Sequence, residues 1–407
     1  MQCGLLGEKL SHSYSPQIHA QLADYHYDLF EKTPDEVEAF VRHGEWHGLN
    51  VTIPYKKTVI PFCDDLSETA ESIGSVNTLL RRGDGSIYGD NTDAFGFEML
   101  LDSVLPDTDL VGKKALVLGT GGASATVCTV LRNRNAAVIP VSRTGENNYQ
   151  NISRHSDAAL IVNTTPLGMY PHNGEKAVDL TVFPFLNAVL DVIYNPARTA
   201  LLLQAEEQGI PHANGLLMLV AQAKRSAEIF LGRPLPNSEI ARITSLLSFQ
   251  MQNLILVGMP GSGKTTIASI LADRLGRQLS EADIEISRQA DMSIPEIFEK
   301  EGEAGFRRRE TAVLSCLGRQ SGLVISTGGG CVTKSENYPL LHQNGIIIRI
   351  LRDTDRLARE GRPLSQQADL AQMAQVRNPF YEQFADLSID NNNTPEETVN
   401  AILEALR

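Results

Sequence analysis

The sequence predicts an α/β protein built on parallel sheets, and three observations carry that reading. ALVLGTGGASATVCTVLRN (115–133) joins a wholly apolar run to a glycine turn and then to a helical pattern. AAVIPVS (136–142), ALIVNTT (159–165) and NAVLDVIYN (187–195) follow it, each short, apolar and separated from the next by polar or helical stretches. Much later, LILVGMPGSGKTTIASILADRLG (254–276) repeats the strand–glycine–helix order. Strands apolar throughout are buried on both faces, which in a parallel sheet means helices on either side.

A chain of 407 residues exceeds one ordinary core, since roughly 150 residues make a domain. Three segments emerge. In 1–105, short apolar runs such as GLNVTIP (48–54) alternate with polar loops, and AFGFEMLLDSVL (94–105) leads out as a helix. Residues 106–247 hold the first strand series, closed by the amphipathic GLLMLVAQAKRSAEIFLG (215–232) and a further helix in RPLPNSEIARITSLLSFQMQ (233–252). The helices of 215–247 are expected to pack back on the first segment. Residues 251–407 open with the second glycine-rich strand. The main boundary falls near Phe249, Met251 reads as the start of a once-separate chain, and the linker is too short for the halves to drift freely.

Composition narrows the function. Hydrophobic content of 42% with 21% charged residues is that of a soluble globular chain. A net charge of −13 argues against nucleic acid as the main partner but leaves room for small anions held by local cations or backbone N–H groups. The five cysteines are scattered without a C-x-x-C pair, which suits a reducing compartment better than disulfides or zinc. MQCGLLGEKLSHS has neither the basic start nor the apolar run of a secretory signal, and no run approaches the roughly 20 apolar residues of a membrane span. A cytoplasmic protein without a membrane partner is expected.

Gly258-Met-Pro-Gly-Ser-Gly-Lys-Thr265 fits G-x-x-x-x-G-K-[ST] in its required place between a strand and a helix. Gly261, Ser262 and Gly263 turn backbone N–H groups toward phosphates, and Lys264 neutralises the outer ones. Thr265 offers a hydroxyl to Mg²⁺, with Thr266 beside it. The segment therefore binds ATP or GTP. With GSGKTT, the stretches GEAGFRRRE (302–310), STGGG (326–330), GRPL (361–364) and RNPFYEQFAD (377–386) make 251–407 resemble shikimate kinase. The resemblance implies ATP as donor and Asp283 as the carboxylate that orients the attacking hydroxyl. It implies Arg307 and Arg377 as guanidinium forks for the substrate carboxylate, Gly329 and Gly330 as a close backbone approach, and Arg362 on a closing lid. Arg308 and Arg309 read as surface charges. The chain departs from the family pattern in having Glu281-Ala-Asp283 for Asp-x-Asp, Ser365 after Arg362-Pro-Leu, and a short lid between Leu357 and Gln372.

Gly119-Thr-Gly-Gly-Ala-Ser124 approximates a dinucleotide loop, with Gly119, Gly121, Gly122 and Ala123 toward the cofactor. The next strand ends Val141-Ser142-Arg143-Thr144, without the acid that holds a ribose 2′-hydroxyl. Arg143 instead suits a 2′-phosphate, so NADP is favoured over NAD. SHSYSPQIH (11–19), GLNVTIPYK (48–56), SVNTL (75–79), GDNTDAFG (89–96), NTTPLGM (163–169), DVIYNP (191–196) and GLLMLVAQA (215–223) make about 1–247 similar to shikimate dehydrogenase. That resemblance implies Lys56 and Asp93 as the proton-handling pair, with the formal acid/base left open between them. Ser13 and Ser15 would hold the substrate carboxylate, with Tyr194 nearby, and Thr52, Asn77, Asn91 and Gln222 its hydroxyls. Ser142, Arg143, Thr144 and Gly215 would contact the cofactor. Asn147, next to Glu146, stands where the family often carries a second cation, which weakens the preference for NADP.

The two resemblances jointly imply a bifunctional enzyme, monomer or homodimer, that reduces 3-dehydroshikimate with NADPH and phosphorylates the resulting shikimate with MgATP. The departures in the last segment leave an alternative open, an active dehydrogenase whose weakened kinase domain senses nucleotide.

Overall fold

The computed structural model describes residues 1–10, 13–106, 110–357 and 370–406. The chain forms two compact units. The first comprises Met1–Met169, Gly174–Tyr194 and Leu201–Leu247; the second comprises Tyr170–Asn173, Asn195–Ala200 and Ser248–Arg407.

The first unit contains two sheets. Strands β1 (Gln2–Gly7), β2 (His26–Glu31), β3 (Gly48–Val51), β4 (Asp65–Leu66), β5 (Thr78–Arg81) and β6 (Ile87–Asp90) make a mixed sheet in the order β2-β1-β3-β5-β6-β4. β1 pairs in parallel with β2 and β3, whereas β5 runs antiparallel to both β3 and β6. Strands β7 (Lys114–Leu118), β8 (Ala137–Val141), β9 (Leu160–Asn163), β10 (Ala188–Asp191) and β11 (His212–Ala213) form a wholly parallel sheet ordered β11-β10-β9-β7-β8. The four expected strands of this series are β7 to β10. From β7 the chain moves one way to β8 and then crosses to β9 on the other side. Such a switch leaves a crevice at the carboxyl ends of the strands, where ligands of doubly wound sheets bind.

The helix Asp93–Val104 links the two sheets and packs on the helix Leu216–Leu231. A Cβ at Gly96 would lie 2.6 Å from the Met218 carbonyl oxygen, so only glycine permits this approach. Phe97, Leu100 and Leu101 of the first helix are fully buried in the shared core. Gly232 ends the second helix in the left-handed region, φ 62°, as its place in the sequence suggested.

The second unit is one parallel sheet of β12 (Asn253–Val257), β13 (Leu279–Glu281), β14 (Val324–Ser326), β15 (Gly345–Leu351) and β16 (Leu387–Asp390), ordered β13-β14-β12-β15-β16. Every residue of the central β12 is buried, which explains its unbroken apolar run apart from Asn253. Asn253 is satisfied by bonds to Gln320 O and Leu323 N–H. The boundary expected near Phe249 falls inside the helix Ser238–Met251, which contains the last division between the units, after Leu247. No helix among the described residues is long and apolar enough to cross a membrane.

Candidate active sites

In the first unit, β3 delivers Lys56 a few residues past its end, and β6 leads through a tight turn into Asp93, the first residue of its helix. Lys56 Nζ lies 2.6 Å from Asp93 Oδ2, with the side chains 24% and 13% exposed. At that helix position the carboxylate also faces the positive end of the macrodipole. The pair lines a cleft of about 660 Å³ with Ser13, Ser15, Thr52, Asn77, Tyr194 and Gln222. Ala123 and Gly215 line the same cleft. Burial raises the Tyr194 phenol, which keeps it a neutral hydroxyl.

Asn91 is not brought there. Its side chain is buried, its Nδ2 donates to Ser75 O at 2.8 Å, and it lines a separate cavity with Asp90, Glu98 and Arg225. The Asn-Thr-Asp run gives one residue to the cleft, Asp93. Its threonine joins a buried polar network beneath the site. Ser226 Oγ is 2.7 Å from Asn50 Nδ2, 2.9 Å from Thr78 Oγ1 and 3.0 Å from Thr92 Oγ1. Asn77 Oδ1 accepts from the Thr92 backbone N–H at 2.7 Å and from the Thr78 hydroxyl at 3.0 Å, so its Nδ2 is the group left for a ligand. Tyr27 donates to Asn50 Oδ1 at 2.8 Å, and His19 stacks on Tyr27 with 4.0 Å between centroids. Burial pushes His19 down to about 3, against a smaller opposing effect from Asn50, so its ring is neutral.

The dinucleotide loop follows β7. Gly119 has φ 107°, and a Cβ there would stand 2.9 Å from Thr164 Oγ1. Gly121 and Gly122 face open space at the start of the helix Gly122–Asn133. Ser124, in place of the last glycine of the pattern, donates its hydroxyl to Gly119 O at 2.8 Å and closes the turn. Open glycines at a helix N-terminus fit a pyrophosphate. After β8, Ser142 Oγ accepts from Gly145 N–H at 2.8 Å, while Arg143 and Thr144 are exposed.

In the second unit, Gly258, Gly261 and Gly263 take φ of 149°, 83° and 93°, values that curl the loop around an anion. Lys264 Nζ donates to Gly258 O at 2.9 Å and Met259 O at 3.0 Å, and the Ser262 hydroxyl is buried without a partner among the described residues. Thr265 and Thr266 are exposed at the first turn of the helix Lys264–Leu275, with Thr265 Oγ1 3.4 Å from Ser326 Oγ. Among the described residues no cluster of three acidic, His or Cys side chains could hold a metal. A lone hydroxyl nevertheless suits Mg²⁺, which keeps waters and phosphate oxygens as its other ligands.

The glycine turn after β14 gathers the remaining groups. A Cβ at Gly330 would lie 2.1 Å from Arg307 Nη2, one at Gly329 2.7 Å from Pro260 Cδ, and one at Gly328 3.0 Å from Asp283 Oδ1. Arg377 donates to Gly329 O at 3.0 Å, and Tyr381 donates to the same oxygen. Arg307 bonds Glu310 Oε2 at 2.7 Å, with 8% and 0% of the side chains exposed. Burial works against both charges. In Arg307 the carboxylates of Glu310 and Glu303 outweigh it and its pKa rises, whereas in Glu310 burial outweighs Arg307 and the carboxyl is pushed up. The short, charge-assisted bond is what holds the pair ionised against that burial. Arg309 pairs with Glu301 at the surface, and Arg308 is exposed. Arg362 lies outside the described residues.

Several lining residues escaped the sequence reading. Lys9, Asn50 and Met218 line the first cleft. In the second unit, Glu310 partners Arg307, and Arg352 holds a buried Nε, unpartnered among the described residues, beside the phosphate loop, with Nη1 3.5 Å from a Cβ built at Gly263. Glu310 was visible as the end of GEAGFRRRE, one helical turn from Arg307. Lys9 and Arg352 carry no pattern of their own.

Comparison with known proteins gives three kinds of match. The family models "Shikimate dehydrogenase substrate binding domain" and "Shikimate kinase" match residues 5–79 and 260–407. Shikimate dehydrogenase (NADP(+)) of Clostridium perfringens is 36% identical over 251 residues, covering 56% of this chain and 92% of that protein. Among solved structures, a chorismate mutase/shikimate 5-dehydrogenase fusion protein from Clostridium acetobutylicum matches with TM-score 0.57 and 36% identity, over 60% of this chain and 96% of that one. Shikimate 5-dehydrogenase from Thermus thermophilus, solved with NADP(H) and shikimate, matches with TM-score 0.54 and 27% identity, over 60% and 98%.

Proposed function

The chain belongs to the shikimate dehydrogenase family through its N-terminal portion and carries a shikimate kinase domain over 260–407, and from that premise we propose that one polypeptide performs both reactions. The first unit reduces 3-dehydroshikimate to shikimate with NADPH; the second phosphorylates the 3-hydroxyl of shikimate with MgATP. The corresponding regions are 1–105 for substrate, 106–247 for NADP and 251–407 for the kinase.

The observation that carries the reading is the ionised Lys56–Asp93 pair on a cleft that also reaches the dinucleotide loop at Ala123. Bound NADPH would supply the hydride. Lys56 and Asp93 hold the proton that the substrate oxygen takes up as its carbonyl is reduced, and their mutual bond fixes both groups before substrate arrives. Ser13 and Ser15 suit the carboxylate, while Thr52, the Asn77 amide and Gln222 suit the hydroxyls. Ser142, Arg143, Thr144 and Gly215 lie toward the cofactor, with Arg143 on its 2′-phosphate.

In the kinase, Asp283 orients the attacking hydroxyl and accepts its proton. Arg307 and Arg377 hold the carboxylate against the Gly329–Gly330 backbone, and Lys264 steadies the phosphates. Bound Mg²⁺, held through Thr265, would offset phosphate charge, and Arg362 would close over the nucleotide. A coupled assay tests the whole: 3-dehydroshikimate with NADPH or NADH in turn, followed by ATP, with nicotinamide oxidation and shikimate 3-phosphate read separately. Oxidation without phosphate transfer at any ATP or Mg²⁺ concentration would reduce the protein to a dehydrogenase with a nucleotide-binding appendage.

A further inference from the structure

On the dehydrogenase reading the first cleft takes a carboxylic acid, yet most of its polar lining residues are neutral. Among the described lining residues the ionised side chains are Lys9, Lys56 and Asp93. Lys56 and Asp93 cancel each other at 2.6 Å. Lys9 follows β1, is exposed, and makes no ion pair among the described residues. Among the described residues it is therefore the uncompensated charge of the cleft, close in sequence to Ser13 and Ser15.

The surroundings make that charge matter. The chain carries a net −13, so an approaching anion meets an unfavourable average field. Serine hydroxyls donate well-aimed hydrogen bonds but provide no long-range attraction, and they accept as readily as they donate. A lysine on a flexible stem at the cleft's edge supplies that attraction without being desolvated.

We propose that Lys9 is a specificity-determining residue of the dehydrogenase site, drawing in the substrate carboxylate and setting the preference for the acid over neutral analogues. The proposal rests on the dehydrogenase reading. It places no proton on Lys9 in the reaction, so Lys9 acts on capture of substrate and leaves the chemical step alone.

The test compares the full-length protein with Lys9→Gln, Lys9→Glu and Lys9→Arg, using 3-dehydroshikimate and its methyl ester at low and high ionic strength. Lys9→Gln should raise KM for the acid by about fivefold at low salt, the size expected for one partly exposed charge. Lys9→Glu should raise it further, Lys9→Arg should restore it, and kcat should stay constant. The difference should shrink at high salt, where the screening length falls to a few ångströms, and vanish for the neutral ester. An unchanged KM for the acid, a salt-independent change, or an equal change for the ester would overturn the role of Lys9 while leaving the dehydrogenase reading intact. A parent protein that oxidises neither cofactor with 3-dehydroshikimate would overturn both.

Discussion

The two units build their candidate sites from contrasting chemistry. The first cleft sets hydroxyls, amides and Lys9 among apolar side chains, and its ionic pair is internally neutral at 2.6 Å. The second site buries a guanidinium, Arg307, on a wholly buried carboxylate, Glu310. Neutral donors cost little to bury when their bonds are made, as in the network of Asn50, Thr78, Thr92 and Ser226. A buried guanidinium is tolerated only with a counterion. Loss of one charge should therefore strike chemistry in the first unit and folding in the second.

The sharpest break of this contrast is Lys56→Ala. Dehydrogenase kcat should fall by about 10³- to 10⁴-fold, the upper range for a positioned proton-transfer group, while shikimate phosphorylation is unchanged. Nicotinamide absorbance and a phosphate-transfer assay on the same sample decide it, and parallel loss of both activities would contradict the separation.

Next in size is Arg307→Met. Removing one partner leaves the buried Glu310 without its ion-pair partner and should destabilise the second unit by about 3–5 kcal/mol. Denaturant unfolding read by proteolytic cleavage of the second unit measures this. Adding Glu310→Met should recover most of the stability and none of the activity. If the single variant is as stable as the parent, the pair is not the structural liability described.

A third effect belongs to the first unit and depends on pH. Folded His19 titrates near 3, whereas the ordinary value is 6.5. Between these values the unfolded chain binds a proton that the folded chain refuses, so stability present at neutral pH is lost as pH falls below 6.5. The loss should approach roughly 1.4 kcal/mol per pH unit. Thermal melts of the transition that abolishes dehydrogenase activity should show this slope, and His19→Gln should flatten it.

The smallest effect tests the departure at Glu281. Glu281→Asp should raise kinase kcat by no more than about threefold, because Mg²⁺ completes its shell with water and tolerates a one-methylene change nearby. A tenfold or larger rise would mark the longer acid as the cause of a weakened kinase.

Much of the fold was legible because its signals are local. Apolar runs reported β7 to β10 and β12, and the glycines of both loops reported the turns after β7 and β12. The Lys56–Asp93 pair was legible only through the resemblance, since one residue follows β3 in a turn and the other opens a helix 37 residues later. The fate of Asn91 was not legible: Asn91, Thr92 and Asp93 are consecutive, yet only Asp93 lines the cleft. Which way each side chain points depends on the Ser75 carbonyl and on Ser226, both distant in sequence.

By itself the sequence determined where backbone N–H groups can be exposed to an anion, because glycine spacing and a following helix are short-range requirements. It also determined which chemical groups were present. Tertiary structure alone decided how each polar atom is committed: the Nδ2 of Asn77 left over after its Oδ1 is engaged, Arg307 held beside Gly330 by Glu310, and Lys9 without an ion pair among the described residues. Hydrogen-bonding capacity is finite, and long-range packing settles which part of it the fold consumes.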